Sequence, residues 1–146
     1  YYNYGAAAGV IYTLYKKFIV SGNLTFNNLN ESKERDVFVT AFNTPRWSSN
    51  VSFRNRALFK HTGFNLVWKW QDTFNWESPL ANGAIPAFST IDLQVTQELP
   101  LLKTTVKIGG SNILNHRYVQ YAAGPTIGAL YYVALSFDTH FKQKTP

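Results

Sequence analysis

The side chains of this 146-residue chain best suited to acid–base or metal chemistry are its eight carboxylates and three histidines. His61, His116 and His140 fall in a short turn, a long connection and the C-terminal tail, with no carboxylate at metal-ligand spacing. Cysteine is absent, which excludes a thiolate nucleophile, a zinc-thiolate site or a disulfide within these residues. Glu31, Glu34 and Asp36 interleave with Lys33 and Arg35, the composition of a solvated loop rather than of an acid and base pair. No Gly-x-Ser-x-Gly elbow, His-Glu-x-x-His pair or phosphate-binding glycine loop occurs. The expectation is a protein without catalytic residues, metal or cofactor. Three Asn-x-Ser/Thr triplets, at Asn23, Asn30 and Asn50, read as chance, because two lie inside the strands described next.

Composition narrows the class. Charged residues make up 15% and aromatics 16%, too aromatic for a disordered polyelectrolyte. The longest apolar run, at residues 6–11, falls far short of the ~20 residues of a membrane-spanning helix, but a β-barrel announces itself by alternation instead. The chain opens Tyr1-Tyr2-Asn3-Tyr4-Gly5, without the pattern of a secretory signal, so the expectation is that a signal was removed or that further residues precede.

Seven segments alternate with a period of two: residues 2–14, 18–27, 47–59, 63–71, 88–97, 103–112 and 128–137. One phase carries Val10, Tyr12, Leu24, Phe26, Val51, Phe53, Leu66, Trp68, Leu93, Val95, Val106, Ile108, Tyr131, Val133 and Leu135, which are the candidate lipid-facing residues. The other carries Asn23, Thr25, Asn50, Ser52, Arg54, Arg56, Lys69, Gln71, Asp92, Gln94 and Lys107, the candidate lumen-facing residues. The formal charge of +6 with interleaved aromatics raises nucleic acid as a partner, but Arg54, Arg56, Lys69 and Lys107 share the polar phase. A wet barrel interior accounts for them, and no nucleic-acid partner is expected.

Connections alternate too: short at 15–17, 60–62 and 98–102, long at 28–46, 72–87 and 113–127. Tight turns on one side and long loops on the other are the asymmetry of an outer-membrane barrel. Tyr12, Phe18, Phe59, Phe64 and Phe137 lie near the short turns, and Tyr4, Phe26, Trp70 and Tyr131 near the loops, as two interfacial girdles would. Trp47, Trp76, Glu77 and Tyr121 are the candidate ligand-facing loop residues, since loops on a rigid frame carry recognition. Residues 138–146 read as a polar C-terminal tail after a barrel portion at 1–137. A water-soluble antiparallel barrel or sandwich, serving as a carrier of a small apolar ligand, shows the same alternation with the apolar face turned inward. An odd number of antiparallel strands does not close, and an open edge leaves unpaired backbone groups in hydrocarbon. Seven strands are therefore expected to belong to a longer barrel.

Val106-Lys107-Ile108-Gly109-Gly110-Ser111-Asn112-Ile113-Leu114-Asn115-His116-Arg117-Tyr118 resembles the penultimate strand and Asn-x-x-Asn-x-x-Tyr turn of TonB-dependent outer-membrane receptors. Gly124-Pro125, Ile127-Gly128 and residues 130–137 resemble the family's last loop and closing strand, although Ala129 replaces the usual Arg and the chain continues past Phe137. Residues 68–77 and 85–92 resemble Bacteroidetes-type members. The resemblance implies an all-β, antiparallel transmembrane barrel of about 22 strands, of which this is the C-terminal part. It implies a plug domain upstream, a TonB-type energy-transducing partner, outer-membrane lipid around the wall, and a surface lipoprotein in some members. Import of an iron-siderophore complex or a glycan follows by the same resemblance; with the short turns on the periplasmic side, the segment at 128–137 runs toward them and leaves the C-terminus in the periplasm. An adhesin or secretion barrel would share the architecture without importing anything.

Overall fold

The computed structural model describes residues 2–15, 17–30 and 42–137. The tail at 138–146 with His140, and the charged cluster at 31–36, lie outside the described residues. Among the described residues nine strands follow one another: β1 (Tyr2–Leu14), β2 (Phe18–Asn30), β3 (Trp47–Phe59), β4 (Thr62–Gln71), β5 (Phe74–Trp76), β6 (Gly83–Ile85), β7 (Phe88–Leu99), β8 (Thr104–Ser111) and β9 (Leu130–Phe137). A 3-10 turn, Pro100–Leu102, links β7 to β8.

Seven strands form one antiparallel sheet in the order β1-β2-β3-β4-β7-β8-β9, an up-and-down meander without crossovers. The seven alternating segments are these seven strands. The small β5–β6 hairpin stands apart inside the 72–87 connection. Alternation does not reveal it, because three residues per strand hold too little of a period to read.

Residues opposite one another in a ladder present their side chains to the same face. Tyr12, Val20, Phe53, Leu66, Leu93, Gly110 and Tyr131 form one such row across all seven strands, and Phe18, Asn55, Phe64, Val95, Ile108 and Val133 form the next. The whole apolar phase thus lies on one side of the sheet. A water-soluble sandwich would cover that side with a second sheet about 10 Å away. Among the described residues nothing does: Val133 is 68% exposed, and the one large apolar side chain that is fully buried, Ile85 at 1%, belongs to the hairpin.

Aromatic rings gather on this bare face at two levels. Phe18, Phe53 and Phe64 stack or meet edge-on at 5.5 and 5.3 Å near the short turns. Tyr4, Phe26 and Trp47 meet at 6.1 and 4.6 Å near the loops, with the Arg46 guanidinium 5.5 Å above the Phe26 ring. Eight residues separate Phe18 from Phe26 and six separate Phe53 from Trp47, or roughly 26 and 20 Å at ~3.3 Å per residue. An outer-membrane wall carries an apolar band of ~25 Å between its girdles.

The regular ladder breaks once, between Asn55 and Phe59 in β3. Asn55 turns its Oδ1 back to accept the Ala57 N–H at 2.7 Å, which lets the backbone fold out into a bulge. The bulge lies over Gly63: a Cβ there would stand 2.6 Å from the Arg56 carbonyl oxygen and 2.8 Å from that of Asn55. Arg56, expected in the polar phase, falls in this bulge, so strand alternation no longer sets its direction. Each short turn bends through a residue at positive φ, Tyr15 (48°), His61 (69°) and Lys103 (48°), which is how two to four residues reverse a strand.

Candidate functional site

The polar face of the sheet leads up to the loops and is ordered in rows. Asn23, Asn50 and Lys69 stand side by side, and so do Thr25, Ser48 and Gln71. Ser52 meets Ser21 through a hydroxyl hydrogen bond of 2.6 Å, and the Asn23 Oδ1 accepts the Asn50 backbone N–H at 3.1 Å. Nearer the short turns Arg54, Asn65 and Gln94 share a row, in which the Tyr132 hydroxyl donates to the Gln94 Oε1 at 2.9 Å. Tyr132 reaches that far because Gly109 lies between them: a Cβ on it would fall 2.7 Å from the Tyr132 hydroxyl. Lys107 lies one row lower, between Thr96 and Ala134.

Asp92 is the hub of this face. Its Oδ2 lies 2.5 Å from the Lys69 Nζ on β4, while its Oδ1 accepts the Ser111 hydroxyl and the Asn112 backbone N–H, both at 2.9 Å. One carboxylate so ties β4, β7 and β8 together where the strands meet the loops. Above it the Asn-x-x-Asn-x-x-Tyr stretch folds as a closed turn. Asn112, 2% exposed and at φ 52°, donates from Nδ2 to the His116 carbonyl at 2.7 Å and accepts the His116 N–H on Oδ1 at 3.0 Å. Asn115, at φ 53°, accepts the Ala129 N–H at 2.9 Å. Both asparagines suit left-handed backbone with a short side chain able to bond nearby amides. Tyr118 completes the motif by pairing with Ile127 and stacking on Phe88 at 4.0 Å.

Two recesses open among the loops. One of about 240 Å³ is bounded by Asn27, Arg46, Phe74 and Glu77, and one of about 200 Å³ by Phe88, His116, Arg117 and Tyr118. The first is held by a reciprocal pair: the Asn43 Nδ2 donates to the Glu77 carbonyl at 2.9 Å, and the Glu77 N–H donates to the Asn43 Oδ1 at 2.6 Å. Trp76 lies 5.6 Å from Tyr121, joining the hairpin to the last loop. Three of the four loop candidates, Trp76, Glu77 and Tyr121, therefore sit together at the loop end.

Trp47 does not join them. It is the first residue of β3 and lies on the apolar face opposite Phe26. The reason lies in the pairing with β2: Arg46 ends the loop, and the Asn27 N–H donates to the Arg46 carbonyl at 2.9 Å, so the ladder begins at once with Trp47 in the apolar phase. Residues that sequence reasoning passed over include Asn43, Phe88 and Asn55. Asn43 pairs with a residue 34 positions away, which no local pattern signals. Among the described residues no group of three or more His, Asp and Glu could hold a metal ion. Among the described residues no helix is long and apolar enough to cross a membrane.

No protein-family model matches the chain, and no curated protein sequence does either. Solved structures do. A mutant of the ferric enterobactin receptor PfeA from Pseudomonas aeruginosa matches 90% of the chain with a TM-score of 0.65 and 17% identity. The siderophore receptor PiuA from Acinetobacter baumannii matches 92% with a TM-score of 0.61 and 12% identity. The chain spans 21% and 22% of those two proteins' lengths. At such identities the likeness is one of fold: an antiparallel wall of the same kind.

Proposed function

We propose that this chain is a C-terminal wall segment of a TonB-dependent receptor barrel in a bacterial outer membrane, and that the whole receptor imports a scarce nutrient. The observation that carries the reading is a single seven-stranded sheet whose large apolar side chains cover one bare face while the polar phase covers the other. In hydrocarbon that face needs no second layer, and the free edges of β1 and β9 pair with further strands of the same barrel. The likeness to two siderophore receptors supports an iron-siderophore complex as cargo; the resemblance of residues 68–77 and 85–92 to Bacteroidetes-type members supports a glycan.

In this reading ligand is captured at the loop end, where Trp76, Glu77 and Tyr121 meet, and the polar face lines the path beside an upstream plug. A TonB-type protein pulls on the plug from the periplasm, where the short turns and the C-terminus lie. The wall itself holds the path open and performs no covalent step.

Facing is tested by charge. Leu93 stands between Leu66 and Gly110 on the apolar face, and Val106 between Gln97 and Leu135. Leu93→Arg costs about 2 to 4 kcal/mol if that side meets the bilayer midplane, and heat-modifiable barrel is lost, whereas Val106→Arg, one row beyond Phe64 toward the short turns, costs about 0 to 1 kcal/mol. Asn50→Arg on the polar face leaves barrel levels unchanged. Wild-type levels in Leu93→Arg would refute the facing. Transport is tested by uptake of labelled ferric siderophore and of labelled oligosaccharide into cells carrying the full-length protein, with and without an uncoupler. Uptake of neither, or uptake indifferent to the uncoupler, rejects the import role.

A further inference from the structure

The two ends of the sheet differ in charge. At the loop end the described residues Arg46 and Arg117 are balanced by Asp72 and Glu77. At the short-turn end Lys17, Lys60 and Lys103 project from three successive turns, and all three are exposed. The carboxylate near them among the described residues, Glu98, already faces the His61 Nδ1 at 3.7 Å.

Each of these lysines has a large apolar neighbour in its own turn. Tyr15, 88% exposed, stands beside Lys17, exposed Phe59 precedes Lys60, and Leu101, fully exposed at 100%, and Leu102 precede Lys103. The turns are too tight to hide them: Tyr15, His61 and Lys103 each bend at positive φ, and the Lys17 and Lys103 N–H groups close back on the Leu14 and Pro100 carbonyls at 3.1 Å. Large apolar side chains held out beside exposed ammonium groups are costly in water. At a membrane boundary they are matched, the apolar part entering the acyl region and the lysine reaching the headgroups.

We propose that this rim of lysines and apolar residues is a docking surface for anionic phospholipid headgroups of the leaflet that meets the short turns. The inference rests on the barrel reading above, because it needs those turns to end at a bilayer surface. Charge complementarity selects the occupant: among the described residues three exposed lysines stand with one carboxylate, Glu98, near them, an excess of cations that fits phosphodiesters of net negative charge rather than zwitterionic headgroups. A lysine near an anionic surface favours it by about five-fold, an attraction that salt screens.

The test uses the full-length protein folded into phosphatidylcholine vesicles with and without a minor fraction of phosphatidylglycerol. Native mass spectrometry reads the phosphatidylglycerol retained per barrel, and heat modifiability shows whether the barrel has formed. The wild type is expected to enrich phosphatidylglycerol, K17Q/K60Q/K103Q to lose that enrichment by about five-fold per lysine, and K17R/K60R/K103R to keep it. High salt is expected to abolish it. A formed barrel without enrichment, or equal enrichment in the glutamine variant, overturns the inference and leaves the lysines to a protein partner or to solvent. Failure of the wild type to form a heat-modifiable barrel in either vesicle instead overturns the barrel reading.

Discussion

Replacing Asp92 by Ala removes the acceptor of three groups, the Lys69 ammonium on β4, the Ser111 hydroxyl at the end of β8 and the Asn112 backbone N–H just past it. The ion pair contributes least, because the Lys69 side chain is 48% exposed and exposed pairs are worth about 0.2 to 1 kcal/mol. The Asn112 N–H matters most, since that residue is buried and a buried donor left without an acceptor costs about 1 to 3 kcal/mol. Together with the Ser111 bond, Asp92→Ala is expected to destabilise by about 2 to 4 kcal/mol. Asp92→Asn keeps an acceptor oxygen in place and costs about 1 kcal/mol, while Lys69→Ala stays within the exposed-pair range. Denaturant unfolding of the refolded barrel, followed by tryptophan fluorescence, gives the three values side by side. Limited proteolysis then shows whether the damage begins in the last loop, with early cleavage between residues 112 and 128. If Asp92→Ala costs no more than Lys69→Ala, the carboxylate is only a partner of the lysine, and its role as the anchor of the turn is refuted.

Gly63→Ala places a methyl against two backbone carbonyl oxygens of the β3 bulge, which flexible side chains are not there to relieve. A loss of about 1 to 3 kcal/mol is expected in the same unfolding assay, and an unchanged midpoint would show that the bulge moves freely. Asn112→Gly retains the left-handed backbone but loses the two side-chain bonds to His116, whereas Asn112→Ala also strains φ. Alanine is therefore expected to be the worse of the two by about 1 kcal/mol; the reverse order would mean that the turn adapts its backbone.

Much of this sheet was legible from residue types. The period of two assigned every strand of the main sheet, and the register then placed residues as distant in sequence as Tyr12 and Tyr131 in one row of the same face. That works because facing is a local property: successive side chains on a pleated strand point to opposite sides whatever the partner strand is. Trp47 shows where locality ends, since its side depends on which residue of the loop the neighbouring strand captures first.

What the chain alone determined is therefore the existence of the strands, the division of their side chains between two faces and the alternation of short and long connections. Only the tertiary structure decided that Asp92 joins three strands, that Asn43 clasps Glu77, that Asn55 folds a bulge over Gly63 and that Trp76 meets Tyr121. Apart from the Asn55 bend itself, these contacts join residues from different strands or loops. Their geometry follows from how the ladder brings those elements together, which the side chains of one segment do not encode.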